Sequence, residues 1–148
     1  MMVDVSGKKE VLREASATGK IVLRPETVSL IRNGKIAKGD PLYTAKIAGI
    51  LAAKKTSMLV PLCHPLPLTK VEVEAVVVDE KTVKVTSNVK TLAQTGVEME
   101  ALTAVSVALL TIWDMVKQYE KDASGQYPDT VIEAVKVVKK VKAYDDAE

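Results

Sequence analysis

From Ala101 to Trp113 nearly every residue is apolar or small. A helix with that pattern must be covered around most of its circumference, so this stretch cannot be an isolated surface helix. It is broken by Thr and Ser and is shorter than the ~20 residues of a membrane span. Its cover is therefore expected from the protein itself. Gly96 opens the helix and about Lys121 closes it. The loop from Asp122 to Asp129 follows, with Gly125 and Pro128.

Strands supply the covering layer. In Thr69 to Asp79, Val71, Val73, Ala75 and Val77 alternate with Lys70, Glu72 and Glu74, the period-2 pattern of a half-buried strand. Asp79-Glu80-Lys81 can turn the chain into a second strand carrying Val83, Val85 and Val89, so a hairpin is expected. Val131 to Val141, rich in Val with interleaved Lys, reads as a final strand, and Ile21 to Leu23 as an early one. Two helices fall between: one from Pro25 to a stop at Asn33-Gly34, and an Ala-rich one from Leu42 to Lys55. Residues 1–18 are small and polar and are expected to form an extended or mobile arm. The order is strand, two helices, two strands, long helix, strand. It implies a single α+β domain with helices packed on one face of an antiparallel sheet.

At 148 residues no disulfide or metal staple is needed. A net charge of +2 is too small to argue for nucleic acid or a membrane. The single cysteine, Cys63, forms no intrachain disulfide and fits a reducing compartment. The first residues lack an apolar signal core, so a cytoplasmic location is expected. Neither a P-loop nor a Gly-x-Gly-x-x-Gly motif occurs.

Ionisable residues on the apolar helix are the first candidates for chemistry. Glu98, Glu100 and Asp114 lie on or beside it, with Lys117 one turn beyond Asp114. Asp114–Lys117 is either an ion pair at a solvated helix end or an Asp tuned by its partner for proton transfer. At ~1.5 Å per residue, Glu100 and Asp114 are roughly 21 Å apart along the axis. Either two subunits contribute to one compact site or only one of these residues is functional. His64, the sole histidine, follows Cys63 in a loop stiffened by Pro61, Pro65 and Pro67. A zinc site would need three or four ligands, and no second Cys or His exists, so no metal is expected.

Several strings carry a resemblance: Met2-Val-Asp-Val-Ser6, Lys38-Gly-Asp40, Pro61-Leu-Cys-His-Pro-Leu66, Thr95-Gly-Val-Glu-Met-Glu-Ala-Leu-Thr103 and Leu110-Thr-Ile-Trp-Asp-Met115. In these the chain resembles the MoaC family from residue 2 to about 121. The resemblance implies a ferredoxin-like fold and a homohexamer, a trimer of dimers with sites at dimer interfaces. It implies conversion of a GTP-derived 3′,8-cyclised dihydroguanosine triphosphate to cyclic pyranopterin monophosphate and diphosphate, without a cofactor. Asp114 matches the family's catalytic Asp, and Lys117 the Lys beside it. Leu62, Cys63 and His64 match a substrate-binding loop, Met99 and Glu100 a second substrate segment with Glu98 adjacent, and Arg13 and Lys38 cations for the triphosphate. The tail after Lys142 lacks the glycines seen at the end of many members.

Two rivals stand beside this reading: a nucleotide-binding regulatory module on the same scaffold, and a metal-dependent cyclohydrolase using Cys63 and His64.

Overall fold

The computed structural model describes residues 1–143. The elements are β1 (Val11–Val22), α1 (Pro25–Arg32), α2 (Pro41–Lys54), α3 (Thr56–Leu59), β2 (Leu68–Val77), β3 (Thr82–Ala93), α4 (Glu98–Glu120) and β4 (Val131–Lys142). The strands form one antiparallel sheet in the order β2-β3-β1-β4. Each half of the chain thus crosses the helical layer and returns two strands away, the split β-α-β arrangement of a ferredoxin-like α+β fold. The first crossover holds α1, α2 and the short turn α3, which has no signal in the residue pattern. The glycine-free tail lies, from residue 144, outside the described residues.

The hairpin forms as the alternation requires. Val71 faces Val89, Ala75 faces Val85, and Val73 is fully buried while Glu72 and Glu74 are exposed. β1 corrects the expected arm. Residues 11–18 run through the middle of the sheet, paired with β3 on one side and β4 on the other. Ala15 and Ala17 are buried with no exposed surface. Their small size marks where α4 rests on the strand. A Cβ added to Gly19 would lie 2.8 Å from Leu109 Cδ1 and 2.9 Å from Val105 Cγ1, so only glycine permits this approach.

α4 is long and apolar enough, by length and composition, to cross a membrane, but half of its apolar window is buried in the fold. Ala101, Val105, Ala108, Leu109, Ile112 and Val116 belong to the core. α2 crosses α4 closely at Gly49, where an added Cβ would sit 3.0 Å from the Ala104 carbonyl oxygen. Among the described residues β4 is an edge strand paired only with β1, with register shifts near Ser16/Ala17 and Thr18/Lys20 and a left-handed residue at Ala134 (φ 56°).

Candidate active site

The two ends of α4 carry two separate constellations. At its C-terminal end Asp114 projects from the helix with its side chain 60% exposed. Lys117, one turn on, places Nζ 3.0 Å from Oδ1. A second lysine arrives from elsewhere: Lys38 Nζ donates to the Asp114 main-chain oxygen at 3.1 Å and lies 3.4 Å from Oδ2. The Lys117 ammonium, then that of Lys38, holds the Asp114 carboxyl below its usual range, and Asp114 in turn raises Lys117. This is more than the expected i,i+3 pair, since one carboxylate is clamped by cations from two elements.

Lys38 owes its place to the α1–α2 connection. Asp40 caps α2, its Oδ1 accepting from the Leu42 and Tyr43 amides at 3.0 and 3.2 Å, and Pro41 occupies the first turn. Glu120, 1% exposed, accepts from the Arg24 amide and from the hydroxyls of Thr27 and Thr130. A buried carboxylate so paired ties the start of α1 and the start of β4 to the end of α4.

The N-terminal end of α4 borders a cleft of about 490 Å³. One wall is the proline-stiffened loop with Leu62, Cys63 and His64; the other is Gly96, Glu98 and Met99. Glu100 lies beneath, 2% exposed, with Oε2 accepting from Cys63 Sγ at 3.8 Å and Oε1 without a hydrogen-bond partner among the described residues. Burial pushes the Glu100 carboxyl up, with the nearby Glu98 charge adding to it. Burial also raises the Cys63 thiol, reinforced by Glu100. Glu98 Oε1 lies 3.3 Å from Lys140 Nζ of β4, at ion-pair distance but outside hydrogen-bond geometry. Its carboxylate folds over Gly96, where an added Cβ would have to displace it.

Arg13 belongs to this end. It is buried on β1, with Nε donating to the Ala93 carbonyl at 3.0 Å and Nη2 to that of Gln94 at 3.1 Å. It braces the turn that leads into α4. Arg13 and Lys38, both expected at one triphosphate, therefore lie at opposite ends of the helix within one chain.

The roof of the cleft had no signal in the residue pattern. Met1, Val3, Val5 and Lys8 line it, and the Val3 carbonyl oxygen is 2.6 Å from His64 Nε2. A carbonyl only accepts, so this ring nitrogen carries the proton in that contact. The segment is held in shape by Asp4, whose Oδ1 accepts from the Ser6 amide at 2.9 Å. Among the described residues no group of three or more His, Cys, Asp or Glu is placed to hold a metal ion.

The arrangement offers two kinds of acid–base group: a carboxyl held below its usual range by two lysines, and a buried carboxyl beside a thiol, raised by its burial. Environments that drive like groups apart are a mark of acid–base sites.

Comparison with known proteins identifies the chain's relatives. The chain is 58% identical over 145 residues to a protein of Sulfurisphaera tokodaii named "Probable cyclic pyranopterin monophosphate synthase", covering 98% of this chain and 95% of that one. It is 59% identical over 143 residues to a protein of the same name in Pyrococcus abyssi, covering 97% of this chain and 89% of the relative. A third relative of that name, from Sulfolobus acidocaldarius, is 57% identical over 143 residues, with 97% and 99% covered. The MoaC family profile matches residues 2–143, and the chain belongs to the MoaC family.

Proposed function

We propose that this chain is a cyclic pyranopterin monophosphate synthase. It converts (8S)-3′,8-cyclo-7,8-dihydroguanosine 5′-triphosphate to cyclic pyranopterin monophosphate and diphosphate, a lyase step early in molybdenum cofactor biosynthesis. The observation that carries the reading is Asp114 held between Lys117 and Lys38 in a chain of this family.

The reaction opens the purine's five-membered ring, closes a pyrazine ring and lets a ribose hydroxyl displace diphosphate at the α-phosphate. It needs staged proton transfers and charge neutralisation. Asp114 and Lys117 carry the proton transfers. Lys38 neutralises phosphate charge, and Arg13 adds positive potential while bracing the β3–α4 turn. His64, Glu98 and Glu100 hold the base and sugar between Leu62, Cys63 and Met99.

A substrate of this size cannot bridge roughly 21 Å of helix, so one complete site takes the Cys63–His64–Glu100 end from one chain and the Lys38–Asp114–Lys117 end from a partner. The exposed apolar surface supports assembly. Tyr43, Ile47 and Leu51 form an i, i+4, i+8 stripe on the outer side of α2, with Met58, Leu59 and Leu62 exposed further along the chain. Patches of this kind mark interfaces. The assembly is a homohexamer, a trimer of dimers, located in the cytoplasm.

Incubating the purified protein with the cyclised triphosphate tests the activity. Formation of product together with one equivalent of diphosphate is expected. Tight binding without turnover would replace this reading with that of a regulatory binding module.

A further inference from the structure

Lys38 is the one member of the Asp114 cluster that does not come from α4, and its side chain is long and flexible. Something must aim it. The segment from Asn33 to Asp40 has no regular secondary structure and passes through left-handed backbone at Gly34 (φ 66°) and Gly39 (φ 117°). Its own hydrogen bonds, Lys35 amide to Leu30 oxygen at 2.9 Å and Gly39 amide to Ile36 oxygen at 3.1 Å, shape it locally without linking it to α4. Ile36, 6% exposed, sets its depth against the core. The direction comes from the next residue, where the Ala37 amide donates to Tyr119 Oη at 2.8 Å. Tyr119 stands five residues after Asp114 on the same helix. Its ring packs against the core, and its main-chain oxygen accepts from Arg24 Nη1 at 3.2 Å. The phenol oxygen is therefore a fixed acceptor in the frame of Asp114, bonded to the amide of the residue before Lys38.

We propose that Tyr119 is a positioning residue for the Asp114 centre: by holding the Ala37 amide it fixes the α1–α2 connection so that Lys38 Nζ meets Asp114. Tyr119 touches neither the carboxylate nor the ammonium and acts only through where Lys38 starts. The kinetic part of this inference rests on the function proposed above; the geometric part does not.

Tyr119→Phe is the test, since it keeps the packed ring and removes the acceptor alone. The charged groups facing the Asp114 carboxylate are Lys117 from α4 and Lys38 from the connection, with Tyr127 acting on Lys117. Carbon-detected NMR titration of the Asp114 carboxyl should show its midpoint rising in Tyr119→Phe, part of the way toward that of Lys38→Ala, with Lys117 retaining the remaining depression. In a Lys38→Ala background Tyr119→Phe should change nothing further, because a residue acting through Lys38 has nothing left to act on. Turnover should fall about twofold to tenfold in the single variant, the span of one neutral hydrogen bond. An Asp114 titration unchanged by Tyr119→Phe overturns the inference, even if melting temperature falls, since that pattern belongs to a purely structural tyrosine. An equal effect of Tyr119→Phe with and without Lys38 overturns it as well. If the wild-type protein makes no product, the functional reading fails, while the titration and the double-variant comparison still decide the role of Tyr119.

Discussion

Lys38 and Asp114 are 76 positions apart in sequence, yet Lys38 Nζ reaches both the main-chain oxygen and the carboxylate of Asp114, at 3.1 and 3.4 Å. A lysine that grips backbone and side chain of one residue is more closely placed than an exposed ion pair, which by itself contributes little. With Lys117 on the other oxygen, the carboxylate is oriented as well as ionised.

Asp114→Asn should keep the fold and lose turnover by about 10²–10⁴-fold, the range of a general acid–base group. Because the two lysines hold the Asp114 carboxyl below its ordinary value, it stays charged as pH falls to about 3.9, the reference value for Asp. Wild-type activity lost at a higher pH would have to come from another group. Near-normal product formation by a folded Asp114→Asn protein would remove Asp114 from the chemistry.

Glu100→Gln should raise thermal stability at neutral pH while lowering activity. Burial raises the Glu100 carboxyl. A group whose folded value is raised contributes fully below its unfolded value and loses stability as pH climbs through the folded one. The amide avoids that loss, each regained kcal/mol being worth roughly 2–4 °C at this chain length. The advantage should vanish below pH ~4.3, the ordinary Glu value. Melting curves of the two proteins that coincide at every pH would refute the account.

Mixing Asp114→Asn with His64→Ala protein, each inactive, should restore part of the activity once subunit exchange is demonstrated. Mixed dimers then hold one site with both residues intact. Failure to complement under proven exchange would place His64 and Asp114 of one chain in the same site.

Deleting Met2–Ser6 should shift the ring resonances of His64, which are unambiguous because it is the only histidine. It should also alter the KM for the triphosphate, since the cleft loses its roof and Nε2 loses the Val3 carbonyl. An unchanged imidazole spectrum would show that the segment does not rest on His64 in solution.

Gly19→Ala should cost about 1–3 kcal/mol, the usual penalty for forcing a methyl into a filled core. The new Cβ would meet Leu109 and Val105 of α4 at under 3.0 Å. Urea denaturation reads this directly, and a midpoint equal to wild type would mean that α4 can lift without loss.

Legibility in the residue pattern followed side-chain size. β2 and β3 announce themselves because valines alternate with charges, and α4 because apolar residues crowd it. β1 hid from Val11 to Thr18 because its inward positions are Ala15 and Ala17, small so that α4 can lie close. The same holds for the chemistry. Asp114–Lys117 is visible as i,i+3 spacing, but the contact of Cys63 with Glu100 spans 37 positions and that of Lys38 with Asp114 spans 76. No local periodicity encodes them; they follow from the crossovers of the fold. The Val3–His64 contact depends on a main-chain oxygen, which every residue possesses and no pattern marks.

The helix that carries both constellations also fixes their phase. Each residue inserted between Glu100 and Asp114 would advance one end by ~1.5 Å and rotate it by ~100° against the other. A single insertion would turn Asp114 away from Lys38 or Glu100 away from Cys63. Seven added residues would nearly restore the angle but lengthen the span by roughly 10 Å. Within this stretch the chain should therefore accept substitutions far more readily than any change in length, even where the inserted residue is an alanine that suits a helix perfectly well.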